Sequence, residues 1–206
     1  MNLSTPNLLP RYICGIMSSQ GKIIIITAPS GAGKTSITQY LLEQFPTLTF
    51  SISAATRQPR GAEVHGKDYY FISEADFKQK IQANEFLEWE MVYEGKYYGT
   101  LKSEMTRIWS EGKTPVLDID VKGAIHVQQQ YPGQCFSMFI QAPSVDALRQ
   151  RLESRGTETP ESLHTRISKA EYEMSFRHKF DTVIVNDVLA DARQEAAQQV
   201  AAFLAK

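Results

Sequence analysis

The sequence predicts an α/β fold, a mainly parallel sheet with helices on both faces, into which a smaller α+β lobe is inserted. Three observations carry this expectation. Ile23-Ile24-Ile25-Ile26 runs into the small-residue loop Thr27-Ala28-Pro29-Ser30-Gly31-Ala32-Gly33 and then into Lys34-Thr35-Ser36, the pattern of a buried strand feeding a helix. Short β-branched runs then alternate with helical apolar patterns to the end of the chain, as expected of parallel strands joined by helical crossovers. Between residues 53 and 100 the composition shifts to Arg, Tyr, Glu and Gly, which marks the inserted lobe.

The first strand lacks any polar alternation, so both of its faces are expected to be buried. Ser30, Gly31, Ala32 and Gly33 carry little or no side chain, so backbone N–H groups there can converge on phosphate oxygens, backed by the positive end of the following helix. Lys34 is placed to reach β- and γ-phosphates, and Thr35 to offer its hydroxyl to Mg²⁺. The usual GxxxxGK(S/T) pattern has glycine where this chain has Ala28, which is still small. Ile37, Tyr40, Leu41, Leu42 and Phe45 supply the helical spacing after the loop, and residues 48–52 form a second short apolar run.

Inside the lobe, strand-like pieces at 69–72, 86–92 and 96–98 surround one helix. Ser73 opens it with Asp76 three residues on, a capping-box arrangement. A helical stretch at 101–109 leads to an apolar strand at 115–120 that ends in acids. Next come a helix at about 124–130, a strand at 136–141 and a helix started by Ser144, with Val145, Leu148 and Leu152 on its apolar side. Residues 153–159 are charged and turn-like. Thr159-Pro160-Glu161 opens another helix, proline being suited to the first helical position. Residues 182–185 read as the last strand, and an Ala-rich amphipathic helix at 189–204 closes the fold.

At 206 residues the chain is long enough for one folding unit with a substantial core. A net charge of −1, from 22 basic and 23 acidic residues interleaved, excludes the electrostatic footprint of a general nucleic-acid binder. The anionic ligand is therefore expected to be small and bound locally. Cys14 and Cys135 lie far apart without a CxxC spacing, so both are expected to be unpaired thiols in a reducing compartment, with no structural zinc. Residues 1–19 lack an export signal and read as a disordered extension, with Met17 an alternative start. No segment approaches the ~18 consecutive apolar residues of a membrane span, so a cytoplasmic location is expected. The linear pattern leaves monomer and homo-oligomer equally open.

Three sets of residues carry the chemistry. Asp118 and Asp120 end a buried strand, where residues two apart point the same way, so both carboxylates are expected to face one cleft near Mg²⁺ or substrate; the alternative is that one of them only caps the next turn. Arg57 and Arg60 flank Pro59, a spacing that lets two guanidiniums converge on a phosphate monoester, with Tyr69 and Tyr98 as possible hydroxyl donors. Arg149, Arg151, Arg155 and Arg166 form a late cationic cluster of the kind that stabilises charge during phosphoryl transfer, or else a solvated basic face.

Six blocks in order, KIIIITAPSGAGKTS, FSISAATRQPRGAEVHGKDYYF, EFLEWEMVYEGKYYGT, PVLDIDVKGA, LRQRLESRGTETPESLHTRISKAEYEM and DTVIVND, resemble the guanylate kinase family over about residues 20–205. The resemblance implies a P-loop NTPase-type core (20–52 and 101–206), a GMP-binding lobe (53–100) and a helical lid (about 152–170). It implies Mg²⁺-dependent transfer from ATP to GMP, and also to dGMP, giving GDP and ADP. ATP would be held by Ala28, Pro29, Ser30, Gly31, Ala32, Gly33, Lys34, Thr35 and Ser36, with Asn186 on adenine. Arg57, Arg60, Tyr69 and Tyr98 would hold the GMP phosphate. Glu88 would accept from guanine N1–H and the 2-amino group, with Ser53, Gly99, Thr100 and Asp120 around the base. Lys34, Arg155, Arg166 and Arg151 would meet the transferring phosphate, and Thr35 and Asp118 the metal. The chain departs from the family pattern at Ala28, Ala54, Ala55, Gly61-Ala62 and Lys122, and the loop before Tyr98 is longer than in some relatives. Two other readings compete: an interaction module on the same fold, which would have an eroded phosphate loop and lid, and a P-loop kinase for another phosphate acceptor, against which Glu88 and the Arg57/Arg60 pair stand.

Overall fold

The computed structural model describes residues 21–206 except 155, 157 and 158. The extension expected over 1–19 and Cys14 lie outside these residues. Strand β1 (Ile23–Thr27) is wholly buried and sits at the centre of a five-stranded parallel sheet. Its neighbours are β7 (Thr114–Asp118) and β8 (Cys135–Gln141), flanked by β2 (Leu48–Phe50) and β9 (Thr182–Val185), in the order β2-β7-β1-β8-β9.

The four isoleucines of β1 explain the two cores. Ile24 and Ile26 pack with α1 (Lys34–Gln44), α5 (Val145–Glu153), α6 (Pro160–Met174) and α7 (Leu189–Leu204) through Leu41, Leu148, Leu152, Ile167, Ala196 and Val200. Ile23 and Ile25 face the opposite side, against Met105 of α3 (Lys102–Ser110) and Val121, Ala124 and Val127 of α4 (Val121–Gln130). Alternation of side chains along a strand with both faces covered requires this partition.

The inserted lobe is a second sheet, ordered β4-β3-β6-β5. It comprises β3 (Ala54–Ala55), β4 (Tyr70–Phe71), β5 (Phe86–Tyr93) and β6 (Lys96–Leu101), with α2 (Glu74–Gln82) packed on it. Phe77 and Phe86 stack at 4.2 Å between ring centroids in a small core of the lobe's own. Buried Glu104 of α3 ties core to lobe, accepting from Ile52 N at 3.1 Å and Tyr70 Oη at 3.0 Å while paired with Arg107. Ser73 caps α2, accepting from Asp76 N at 3.0 Å, although its hydroxyl, rather than its backbone N–H, bonds the Asp76 carboxylate. Strand β3 escapes a sequence reading because two alanines have low strand preference and gain their place by pairing.

Candidate active site

The carboxyl ends of β1 and β7 open into one cleft of about 580 Å³, reaching from the phosphate loop to the lobe. It is lined by Ala28, Pro29, Ser30, Gly31, Gly33, Lys34, Thr35 and Ser36 at one end and by Ser53, Tyr69, Glu88, Glu90, Tyr98 and Gly99 at the other. Asp118, Ile119 and Asp120 lie between, and Thr165, Arg166, Lys169 and Glu173 of α6 form a side wall. Ligand sites in parallel sheets lie at such a point, where neighbouring connections leave in opposite directions.

The loop conformation depends on its glycines. Gly31 and Gly33 have φ of 91° and 96°, values that L side chains rarely adopt. A Cβ on Gly33 would also lie 2.1 Å from Asn186 Nδ2. Gly33 caps α1 without a side-chain bond, so the helix N-terminus presents backbone N–H groups toward the cleft. Ala32, expected in the ligand cradle, is fully buried under the loop, where it packs in the core. Lys34 is ion-paired with Asp118.

Asp118 and Asp120 both reach the cleft, by different routes. Asp118 is the last residue of β7, whereas Asp120 has left the strand and caps α4, accepting from Gly123 N at 2.7 Å. The helix starts at Val121 because of this cap, three residues before the sequence pattern suggests.

Glu88 is 7% exposed and fixed by Thr100, whose N–H and hydroxyl both donate to Oε1, at 2.9 and 2.6 Å. Thr100 is itself buried, so it supports the carboxylate rather than lining the cleft. Burial, reinforced by the Asp120 charge, pushes the Glu88 carboxyl up to about 7 against the pull of the Thr100 bonds. A Cβ on Gly99 would lie 2.7 Å from the Glu88 carbonyl oxygen, and one on Gly123 would lie 2.8 Å from Glu88 Oε2, so both glycines are demanded by close approach.

Four expected residues are placed otherwise. Neither Arg57 nor Arg60 lines the cleft, and both meet Glu63 instead: Arg57 donates from both terminal nitrogens to Glu63, at 2.5 and 2.7 Å, and from Nε to Tyr98 Oη at 3.1 Å. Its guanidinium lies over the Tyr69 ring at 4.8 Å, while Arg60 is exposed at the loop tip and uses its backbone N–H on the same carboxylate. Glu63, held mainly by the Arg57 bonds, drops to about 2. Asn186 has its amide buried beneath the phosphate loop, donating to Ala32 O at 2.8 Å, and does not line the cleft. Arg151 is spent on backbone carbonyls, donating to Asn186 O at 2.8 Å, and braces the turn after β9. A backbone carbonyl is a fixed local acceptor that linear spacing does not reveal. Arg166 does reach the loop, donating to Ser30 Oγ at 2.6 Å, while Arg155 lies outside the described residues.

Glu90, Lys169, Glu173, Glu63 and Gly123 were not singled out from the sequence. Two signals existed: Glu90 is two residues from Glu88 on a strand, and Arg166, Lys169 and Glu173 share a helix face at three- and four-residue spacing. The Glu90 carboxyl is held well above the ordinary range by its hydrogen bond to Asp120 and by burial, and Glu173 is raised by burial.

A loop of backbone donors at a helix N-terminus, a lysine ion-paired with a strand-end acid, and a helix face bearing Arg166 and Lys169 over one cleft define a P-loop kinase of the α/β class. The family model described as guanylate kinase matches residues 20–204. The guanylate kinase of Bacteroides fragilis is 48% identical over 187 residues, 91% of this chain and 92% of that protein. That of Porphyromonas gingivalis is 46% identical over 186 residues, covering 90% and 99% respectively. The crystal structure of guanylate kinase from Anaplasma phagocytophilum superposes with a TM-score of 0.70 at 27% identity, over 89% of this chain and 86% of that one. The chain belongs to the guanylate kinase family.

Proposed function

We propose that the protein transfers the γ-phosphoryl group of ATP to a phosphate oxygen of GMP, giving GDP and ADP, and that dGMP serves as well. The observation that carries this reading is a single cleft lined at one end by the phosphate loop and at the other by the buried carboxylate of Glu88. Guanine offers two adjacent donors, N1–H and the 2-amino group, to one ionised carboxylate. Adenine would present a bare N1 acceptor there, lone pair against lone pair, and a buried polar group left unpaired discriminates by ~10⁴-fold or more.

Thr35 and Asp118 suit Mg²⁺, which keeps several waters and takes one or two protein oxygens beside substrate phosphates. Held by Thr35 and Asp118, Mg²⁺ would supply positive charge that offsets the negative charge of the donor phosphates. Lys34 would leave Asp118 for the β- and γ-phosphates, and the backbone of residues 28–36 would cradle them. Tyr69 and Tyr98, with Arg57 and Arg60 after rearrangement about Glu63, would hold the acceptor phosphate. Arg166, and Arg155 in the lid, would balance charge on the transferring group. The acceptor is already anionic, so positioning and exclusion of water matter more than a strong base. The reaction belongs in the cytoplasm, where both nucleotides are supplied.

The test is ADP release with GMP, dGMP, AMP, CMP and UMP, each with and without Mg²⁺. GMP and dGMP should be used at least ~10³-fold better than AMP, and chelation should stop turnover. Lys34→Ala should abolish transfer while circular dichroism stays native. Equal use of AMP and GMP would overturn the reading.

A further inference from the structure

Among the described residues three cations line the cleft, Lys34, Arg166 and Lys169. The carboxyl groups of Glu88, Glu90, Asp118, Asp120 and Glu173 line it with them, so an incoming phosphate monoester meets a surplus of acids. Each cation therefore bears on binding. Lys34 is ion-paired with Asp118, and Arg166 donates to Ser30 Oγ at 2.6 Å, which places both at the phosphate loop. Neither Arg57 nor Arg60 lines the cleft, so the loop end holds two lining cations and the acceptor phosphate has none assigned to it. Lys169 is the third. It lies on α6 three residues beyond Arg166, on the same helix face and about 4.5 Å further along the axis.

The ion pair of Lys169 with Glu173 does not account for its position. Nζ and Oε1 are 3.7 Å apart, longer than a direct hydrogen bond, and lysine four residues ahead of glutamate is the order that supports a helix less. Glu173 is 9% exposed, whereas the Lys169 side chain is 54% exposed. A buried carboxylate thus holds an ammonium on a flexible four-carbon stem at the cleft wall. A phosphate dianion, with greater charge and oxygens open to direct hydrogen bonds, would draw it away.

We propose that Lys169 is a further substrate-binding residue: its ammonium leaves Glu173 and donates to the phosphate of the acceptor nucleotide. The inference rests on the GMP reading above. Loss of a hydrogen bond to a charged group corresponds to a change of about tenfold or more in affinity.

Lys169→Met keeps the stem and removes the charge, whereas Lys169→Arg keeps the charge. In steady-state kinetics Lys169→Met should raise the KM for GMP about tenfold and leave the KM for ATP within about twofold of the unsubstituted protein. Lys169→Arg should recover most of the loss. Salt reports on the charge itself: a rise from about 0.05 M to about 0.5 M should increase the KM for GMP more in the unsubstituted protein than in Lys169→Met. Thermal melts establish that each variant is folded, and Lys169→Gln replaces the methionine variant if that one is not. A KM for GMP that stays within about twofold in Lys169→Met, that rises together with the KM for ATP, or that keeps its full salt dependence would overturn the proposal. Failure of the unsubstituted protein to release ADP with GMP would instead count against the GMP reading itself.

Discussion

Glu88 accepts both Thr100 bonds on Oε1, and its Oε2 lies beside Gly123. Its carboxyl moves from 4.5 to about 7 because burial disfavours the charge. The folded state then binds the proton more tightly than the unfolded state. The resulting stability is fully present below 4.5 and is lost as pH rises through about 7. Recognition of guanine has the opposite demand, since only the ionised group accepts from both donors. Glu88→Gln should therefore raise the melting temperature at about pH 8, by the equivalent of roughly 2–3 kcal/mol, and change it little at about pH 4.5. The same variant should lose GMP turnover by ~10²-fold or more. Scanning calorimetry of both proteins across this range checks the first expectation; an advantage that is independent of pH would show that ionisation of Glu88 costs the fold nothing.

Helix α4 carries the site at its first turn, through the Asp120 cap and the flat surface at Gly123. Alanine for glycine inside a helix usually adds about 1 kcal/mol of stability. At position 123 the new Cβ would lie 2.8 Å from Glu88 Oε2 and 3.0 Å from Asp120 Oδ1, so the carboxylates must move. Gly123→Ala should leave the melting temperature unchanged or slightly higher while GMP affinity falls about tenfold or more. Melting and GMP titration on one sample test the pair of outcomes, and unchanged affinity would show that the carboxylates relax freely. Helix α6 acts from the other wall. Thr159 and Ser162 close a capping box with Pro160 at the first position, and one face carries Arg166, Lys169 and Glu173 to the cleft. The start of this helix was legible in Thr-Pro-Glu, because a cap and a proline act locally. The acceptor of Arg166, Ser30 Oγ, lies 136 residues away and was not legible.

The molecule has two sheets with separate cores, and this division assigns the donor and acceptor ends of the cleft to different packing units. Phe77 is fully buried in the lobe against Phe86 and Tyr97 and belongs to neither of the two clusters flanking β1. Truncating a buried phenylalanine costs about 3–5 kcal/mol, which here should fall on the lobe. Phe77→Ala should speed amide hydrogen exchange across residues 53–100 and weaken GMP binding. Binding of an ATP analogue at the phosphate loop, and protection in the central strands, should persist. Uniform loss of protection in both sheets would mean that the two units unfold together.

Residue order alone settled the alternation of strands and helices, the phosphate loop, the cap of α6 and the shift in composition that marks the lobe. These follow from periodicity, backbone freedom and local hydrogen bonds, which act over a few positions along the chain. Tertiary structure decided what the charged side chains meet. Arg57 meets Glu63, and Arg151 and Asn186 meet backbone oxygens. Each of these partners is chosen by which surfaces the folded sheets bring within about 3 Å, a distance that sequence spacing does not encode.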